Sequence, residues 1–288
     1  MRRQIKILLM VSMFSGQLLA QTTGPEKGSL VIVGGGMQDN TILQRFAALA
    51  GGFDQSIVVI PTASGEADYD EFWPGMNQFQ QAGLTNLTLL HTYDPTVADT
   101  QEFALTIRMA KGVWFTGGRQ WRLADAYLNT EVHEALLELL ARGGVIGGSS
   151  AGATILGSYL ARGDTNSNTV MMGDHEEGFG FMKNVAIDQH MLRRNRQFDL
   201  IEVITAKPEL LGIGLDEDTA IVVRGNRFEV IGQSYIAIFD HNRMLDSGGQ
   251  FYFLEPGDQF ELIQRQAYRP QRVLQPLERV VDGAWDSR

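Results

Sequence analysis

Five times between Ser29 and Gly152 a short apolar run ends in a turn and gives way to residues with helical spacing. The runs are Ser29-Leu-Val-Ile-Val33, Ile57-Val-Val-Ile60, residues 87–90, Val113-Trp-Phe115 and Val145-Ile146. Gly34-Gly-Gly36 closes the first, Pro61-Thr62 the second, Thr116-Gly-Gly118 the fourth and Gly147-Gly-Ser-Ser-Ala-Gly152 the fifth. Helical spacing covers residues 40–50, 69–82, 97–110 and 122–141. A strand that is apolar at every position must be covered on both faces, and strands separated by helices pair in parallel. The expected fold is therefore α/β, a three-layer αβα sandwich around a mostly parallel sheet. Ligands of such sheets bind beyond the carboxyl ends of the strands, which gathers loops 34–39, 61–66, 117–120 and 148–152 at one crevice. The last third is richer in strand patterns. Residues 212–223, 228–232 and 235–239 read as antiparallel strands, and residues 250–255 and 260–263 flank Pro256-Gly-Asp258, a hairpin signal.

The first twenty residues are of another kind. Arg2, Arg3 and Lys6 precede an apolar run over residues 7–14, and Leu18-Leu-Ala20 offers a small residue at a cleavage point. This is the layout of a secretory signal peptide, with a run too short to span a bilayer. The expected organisation is a signal peptide over 1–20, a polar linker over 21–28, one αβα domain over 29–240, and a β-hairpin extension and tail over 241–288. The mature chain would be exported, periplasmic or secreted, and not an integral membrane protein. A formal net charge of -10 disfavours nucleic acid as a partner. With no cysteine in the chain, disulfides, thiolate ligands and thiol nucleophiles are excluded, so covalent chemistry must use a hydroxyl, a carboxylate or an amine.

No cofactor is expected. Gly34-Gly-Gly36 lacks the G-x-G-x-x-G spacing and reads as a tight strand-to-helix turn, no phosphate-binding G-x-x-x-x-G-K-[ST] occurs, and no histidine pair has metal-ligand spacing. Gly148-Ser-Ser-Ala-Gly152, in contrast, fits G-x-S-x-G. Glycines on either side of Ser150 permit the sharp turn that exposes a nucleophilic hydroxyl, and a helix starting at Ala151 would aim free N–H groups at a developing oxyanion. The competing reading is a packed helix start with Ser149 or Ser150 as its cap. A serine nucleophile needs a base. Of His175, His190 and His241, His190 is best placed, at the end of the apolar run 185–190 and followed by Arg193, Arg194 and Arg196.

These pieces together resemble the S51 serine peptidases, the family of cyanophycinases and aspartyl dipeptidases. The matching segments are Thr116-Gly-Gly-Arg-Gln120, Gly148-Ser-Ser-Ala-Gly-Ala153, Gly178-Phe-Gly-Phe181, Asp188-Gln-His190 with its arginines, and residues 212–220. The resemblance implies a flavodoxin-like fold similar to class I glutamine amidotransferases, with Ser150 as nucleophile and His190 as general base. It implies an oxyanion or substrate role for Gly117, Gly118, Gln120 and Ala151, and a pocket lined by Asp188, Gln189, Arg194 and Arg196. An aspartate-containing peptide is the expected substrate, since guanidinium forks bind carboxylates in pairs. The family's third catalytic member is an acid shortly after the serine. Asp164 is the expected residue, with Glu176, Glu177 and Glu217 as alternatives. Two departures stand out: Asp199 occupies a position where cyanophycinases carry another arginine, and the first turn reads Met37-Gln-Asp39. A non-catalytic binding module and an esterase or amidase of small substrates are the other readings, and a homodimer is compatible with the sequence.

Overall fold

The structure is a computed structural model that describes residues 22–38, 40–70, 72–243 and 249–270. The segment 1–20 expected to be a signal peptide, Asp39 and the tail beyond residue 270 lie outside the described residues. From Ser29 to Thr154 the chain runs β1 (Ser29–Val33), α1 (Thr41–Ala50), β2 (Ile57–Ile60), α2 (Asn77–Gln81), β3 (Leu87–Leu89), α3 (Pro95–Ala98), α4 (Gln101–Met109), β4 (Gly112–Phe115), α5 (Gln120–Tyr127), α6 (Glu131–Ala141), β5 (Val145–Ser149) and α7 (Ala151–Thr154). It continues through β6 (Gly157–Tyr159), β7 (Met182–Asp188), α8 (Leu200–Ala206), β8 (Leu211–Leu215), β9 (Thr219–Arg224), β10 (Arg227–Gly232), β11 (Ile236–Asp240), β12 (Phe251–Leu254), β13 (Gln259–Glu261) and β14 (Gln266–Tyr268).

One sheet has the order β14-β13-β10-β9-β1-β5-β4-β2-β3. Its half from β1 to β3 is parallel, as the five recurrences require, and β9 closes against β1 in antiparallel register with Ile32 opposite Ile221. Both faces are dry. Val31, Val33, Ile57, Val59 and Trp114 pack against α1 and α2, and Phe46 and Phe79 meet the Trp114 ring edge-on at 5.0 and 5.8 Å. Leu30, Ile32, Val58, Ile60, Val113 and Phe115 face the other way, onto a cluster shared with α4, α5 and α6. Each such side chain contributes about 1.5–3 kcal/mol by leaving water.

A second sheet, β12-β11-β8-β7-β6, is not foreseen by the sequence pattern. One face joins the same cluster through Val185, Ile187, Ile213 and Ile238, and the other carries α8. This corrects several readings. Residues 212–223 are two strands, not one: β8 pairs with β7 and β11 in the second sheet, and β9 with β1 in the first. Residues 250–255 and 260–263 do not form a hairpin, because β12 pairs with β11 and β13 with β10; the hairpin is β13 with β14. The helix expected over 69–82 begins only after Pro74, and that over 97–110 is interrupted where the Thr100 hydroxyl caps α4 by accepting from Phe103 N–H at 3.2 Å. The helix expected over 122–141 breaks at Asn129, whose φ is 59°. Among the described residues no helix is long and apolar enough to cross a membrane.

Candidate active site

β5 carries Ser149 to the top of the parallel half, and Ser150 turns out of the strand with φ 58° and ψ -115°. A non-glycine residue holds that backbone only under constraint. The constraint here is local: Ser150 N–H donates to Val33 O at 3.0 Å, and its carbonyl accepts the N–H groups of Ala153 and Thr154. Ser150 Oγ lies 2.9 Å from His190 Nε2, and His190 Nδ1 lies 2.6 Å from Glu217 Oε1. The helix after the serine is only four residues long, so its dipole is small and its first free N–H groups matter more. Ser150 makes no side-chain capping hydrogen bond, which removes the helix-cap reading.

The first glycine turn is the seat of this constellation. Gly34 O accepts the His190 N–H at 2.9 Å and Gly35 O accepts the Asp218 N–H at 2.8 Å. A methyl group on Gly35, at φ 114°, would lie 2.3 Å from His190 Cε1, and one on Gly36, at φ 54°, would lie 2.4 Å from Glu217 Oε2. Both positions therefore need glycine for close approach as well as for backbone conformation. The break between β8 and β9 supplies three acids with three tasks. Asp216 accepts the N–H groups of Leu192 and Arg193 at 3.0 and 2.9 Å, fixing the turn after His190. Glu217 holds the imidazole, and Asp218 Oδ1 accepts Gln38 N–H at 3.0 Å, closing the glycine turn.

Burial lowers the pKa of His190, and the positive charges of Arg194 and Arg196 lower it further against the opposing pull of Glu217. The imidazole is thus neutral at neutral pH. Its Nδ1–H donates to Glu217 and its Nε2 lone pair faces the Ser150 hydroxyl, the protonation state a general base requires. Among the described residues no hydrogen bond occupies the backbone N–H groups of Gly117, Gly118 or Ala151, and a methyl group on Gly117 would lie 3.2 Å from Ser150 Cβ.

The profile of peptidase family S51 matches residues 30–231. The chain belongs to that family. It is a serine-type peptidase hydrolase, and its α/β fold with helices on both faces of the sheet is the S51 fold. A cyanophycinase from Geminocystis herdmanii is 33% identical over 226 residues, covering 75% of this chain and 82% of its own. A cyanophycinase from Trichormus variabilis is 29% identical over 264 residues, covering 82% and 86%. The crystal structure of a peptidase from an acI-B1 Actinobacterium superposes with a TM-score of 0.62 at 27% identity, over 83% of this chain and 98% of that one.

Within this S51 chain the expected acid is displaced. Asp164 accepts the N–H groups of Asn166 and Ser167 at 2.9 and 2.7 Å, the turn-forming bond of its own loop, and Glu217 takes the place beside His190. Glu176 is engaged with Tyr159 and Lys207 instead, and Glu177 is exposed. Gln120 is buried, and its amide donates to Ala161 O and Arg162 O, both at 2.8 Å, so it braces the loop rather than facing ligand. Asp188 does not line the pocket with a free carboxylate either: Arg162 Nε and Nη2 hold both its oxygens at 2.7 and 3.0 Å. The sequence pattern does not single out Arg162. It is 1% exposed, sits at φ 58°, and also donates to Asn168 O and Asp199. The signal for it is Asp188, a carboxylate at the end of an apolar strand, which needs a buried cation from elsewhere in the chain. Gln189 accepts from Arg196 Nη1 at 2.9 Å and so orients that side chain, while Arg194 and Arg196 do line a cavity.

The loop after Arg162 is pinned at its far end by His175, which bridges Asp125 on α5 at 2.7 Å and Asp174 at 3.0 Å. Burial pulls the His175 pKa down, but the two carboxylates outweigh it and the pKa is raised. A raised folded-state pKa gives stability that is full below the unfolded value of 6.5 and lost as pH rises through the folded value. We expect His175→Gln to lower Tm more at pH 5.5 than at pH 8.5, read by thermal melts of both proteins across that range.

Proposed function

We propose that this chain hydrolyses aspartyl or β-aspartyl peptide bonds with a Ser150–His190–Glu217 triad. The observation that carries the reading is the continuous pair of contacts, 2.9 Å from serine to imidazole and 2.6 Å from imidazole to carboxylate. Ser150 Oγ attacks the scissile carbonyl as His190 Nε2 takes its proton. Glu217 stabilises the imidazolium that results, and His190 then gives the proton to the leaving amine. The free N–H groups of Ala151 and of Gly117–Gly118 hold the oxyanion. Water repeats the sequence on the acyl-enzyme and restores the serine.

Aspartate selectivity is supported by Arg194 and Arg196 beside the triad and by the relatives described as cyanophycinases. Export is supported by the basic start and apolar run of residues 2–14, with cleavage after Ala20. The test is a fluorophosphonate probe followed by a substrate panel of β-aspartyl peptides, α-aspartyl peptides, cyanophycin and simple esters. Labelling at Ser150 with turnover of an aspartyl substrate is the expected result. A folded chain that resists the probe would instead be a binding module, and turnover confined to the esters would make it an esterase.

A further inference from the structure

The loop after β2 lies outside the triad, yet the Gly117–Gly118 turn rests on it. Ala63 O accepts the Arg119 N–H at 2.8 Å and Arg122 Nη1 at 3.0 Å. Gly118 has φ 141°, and a methyl group there would collide with Ala63 O. Its neighbour Gly117 packs on the nucleophile, since a methyl group there would lie 3.2 Å from Ser150 Cβ and 3.5 Å from Ser150 Oγ. Two consecutive glycines have no side chains with which to fix the direction of their N–H groups. That direction is set by what adjoins them: β4 before them, where Thr116 N–H donates to Ile60 O at 3.1 Å, and Ala63 O at the Gly118–Arg119 step.

Loop 61–66 is in turn organised around one hydroxyl. Tyr69 is 9% exposed. Its OH donates to Pro61 O at 3.1 Å, accepts the N–H groups of Gly65 and Glu66 at 3.1 and 3.0 Å, and meets Ser64 Oγ. A phenol has one proton and two lone pairs, so the group is fully committed to this loop. Its ring meets His91 and Trp73 edge-on, at centroid distances of 4.6 and 5.4 Å. The start of the loop is held without it: Thr62 Oγ1 bonds Tyr127 OH at 2.6 Å and His91 Nδ1 at 2.8 Å. We propose that Tyr69 is a positioning residue for catalysis: its hydroxyl fixes loop 61–66, and through the Ala63 carbonyl it sets the Gly117–Gly118 N–H groups where the oxyanion needs them. This rests on the peptidase reading above and adds to it a residue that acts only through the loop. Because Thr62 stays anchored, loss of the hydroxyl loosens the support without removing it. The expected cost is about 10- to 100-fold in kcat, below that of deleting an oxyanion donor outright.

Tyr69→Phe keeps the ring and removes the hydroxyl. Exhaustive titration with a fluorophosphonate counts the competent serines of each preparation, so turnover of an aspartyl peptide can be expressed per active site. In Tyr69→Phe, kcat per titrated serine should fall about 10- to 100-fold with KM within about twofold. The acid limb of the pH profile, set by His190, should stay in place. Gly118→Ala presses on the same carbonyl and should also lower kcat, and the double variant should fall no further than the worse single. Fewer titrated serines with unchanged kcat per site would make Tyr69 merely structural and overturn the proposal. So would a loss confined to KM, a shifted acid limb, or full additivity with Gly118→Ala. Unchanged kcat in Gly118→Ala would overturn it as well, whether or not Tyr69→Phe folds. An unsubstituted chain that neither labels nor turns over any aspartyl peptide would instead remove the peptidase reading, and this proposal with it.

Discussion

Ser150→Ala and His190→Ala should each lower kcat by about 10⁶-fold, and the double variant should fall no further, because serine and base act as one unit. Glu217→Gln should cost about 10⁴-fold, since an amide cannot stabilise the imidazolium and invites the wrong imidazole tautomer. Asp164→Asn should change kcat by less than about twofold: its carboxylate serves a turn that asparagine also forms. Steady-state kinetics on purified variants, with thermal melts to confirm folding, would check the set. The contrast between positions 217 and 164 is the decisive part. A large loss at Asp164 with activity retained in Glu217→Gln would reverse the assignment of the acid. The lowered pKa of His190 adds a pH signature. Activity should hold down to slightly acid pH and fall once the imidazole binds its proton, below the ordinary histidine value of 6.5.

The largest stability effect is expected at Arg162. Replacing it with methionine keeps much of the volume but leaves Asp188, 1% exposed, as a buried carboxylate with neither oxygen paired. Breaking a buried ion pair from one side costs about 3–5 kcal/mol. Urea unfolding should show that loss as a lower midpoint with an unchanged slope. Replacing both partners together, as Arg162→Met with Asp188→Leu, should recover much of it, because the penalty belongs to the stranded charge more than to the missing attraction. A double variant no more stable than Arg162→Met would show that the pair is needed for shape, through the bond from Arg162 to Asn168 O and the positive φ at position 162.

Much of the fold is legible because burial leaves a mark on consecutive residues. Runs such as Leu30-Val-Ile-Val33 and Ile57-Val-Val-Ile60 are apolar throughout and can only be strands covered on both sides. Ser150 and His190 are legible for a related reason: each ends an apolar strand with a polar side chain, next to residues that permit a turn. Glu217 is harder to find. It lies in Asp216-Glu-Asp218, where every residue is acidic and composition cannot say which one faces inward. Nor does local pattern reveal that the strand-like stretch 212–223 is cut between two sheets at those acids. The second sheet is hidden because β7 and β8 pair across an intervening helix, with nothing in either strand naming its partner. Gly34-Gly-Gly36 reads as a tight turn, which it is, but its carbonyls and missing side chains also define where the imidazole rests.

The crossing at Glu217 has one more consequence. The serine stands on the first sheet, the histidine at the end of a strand in the second, and the carboxylate in the link that passes from one to the other. Sequence separations of 40 and 27 residues must close together before any of the three has its partner. A half-assembled chain therefore carries a serine without a base and a base without an anchor. On the proposed triad, hydrolytic competence belongs to the docked pair of sheets and to neither alone.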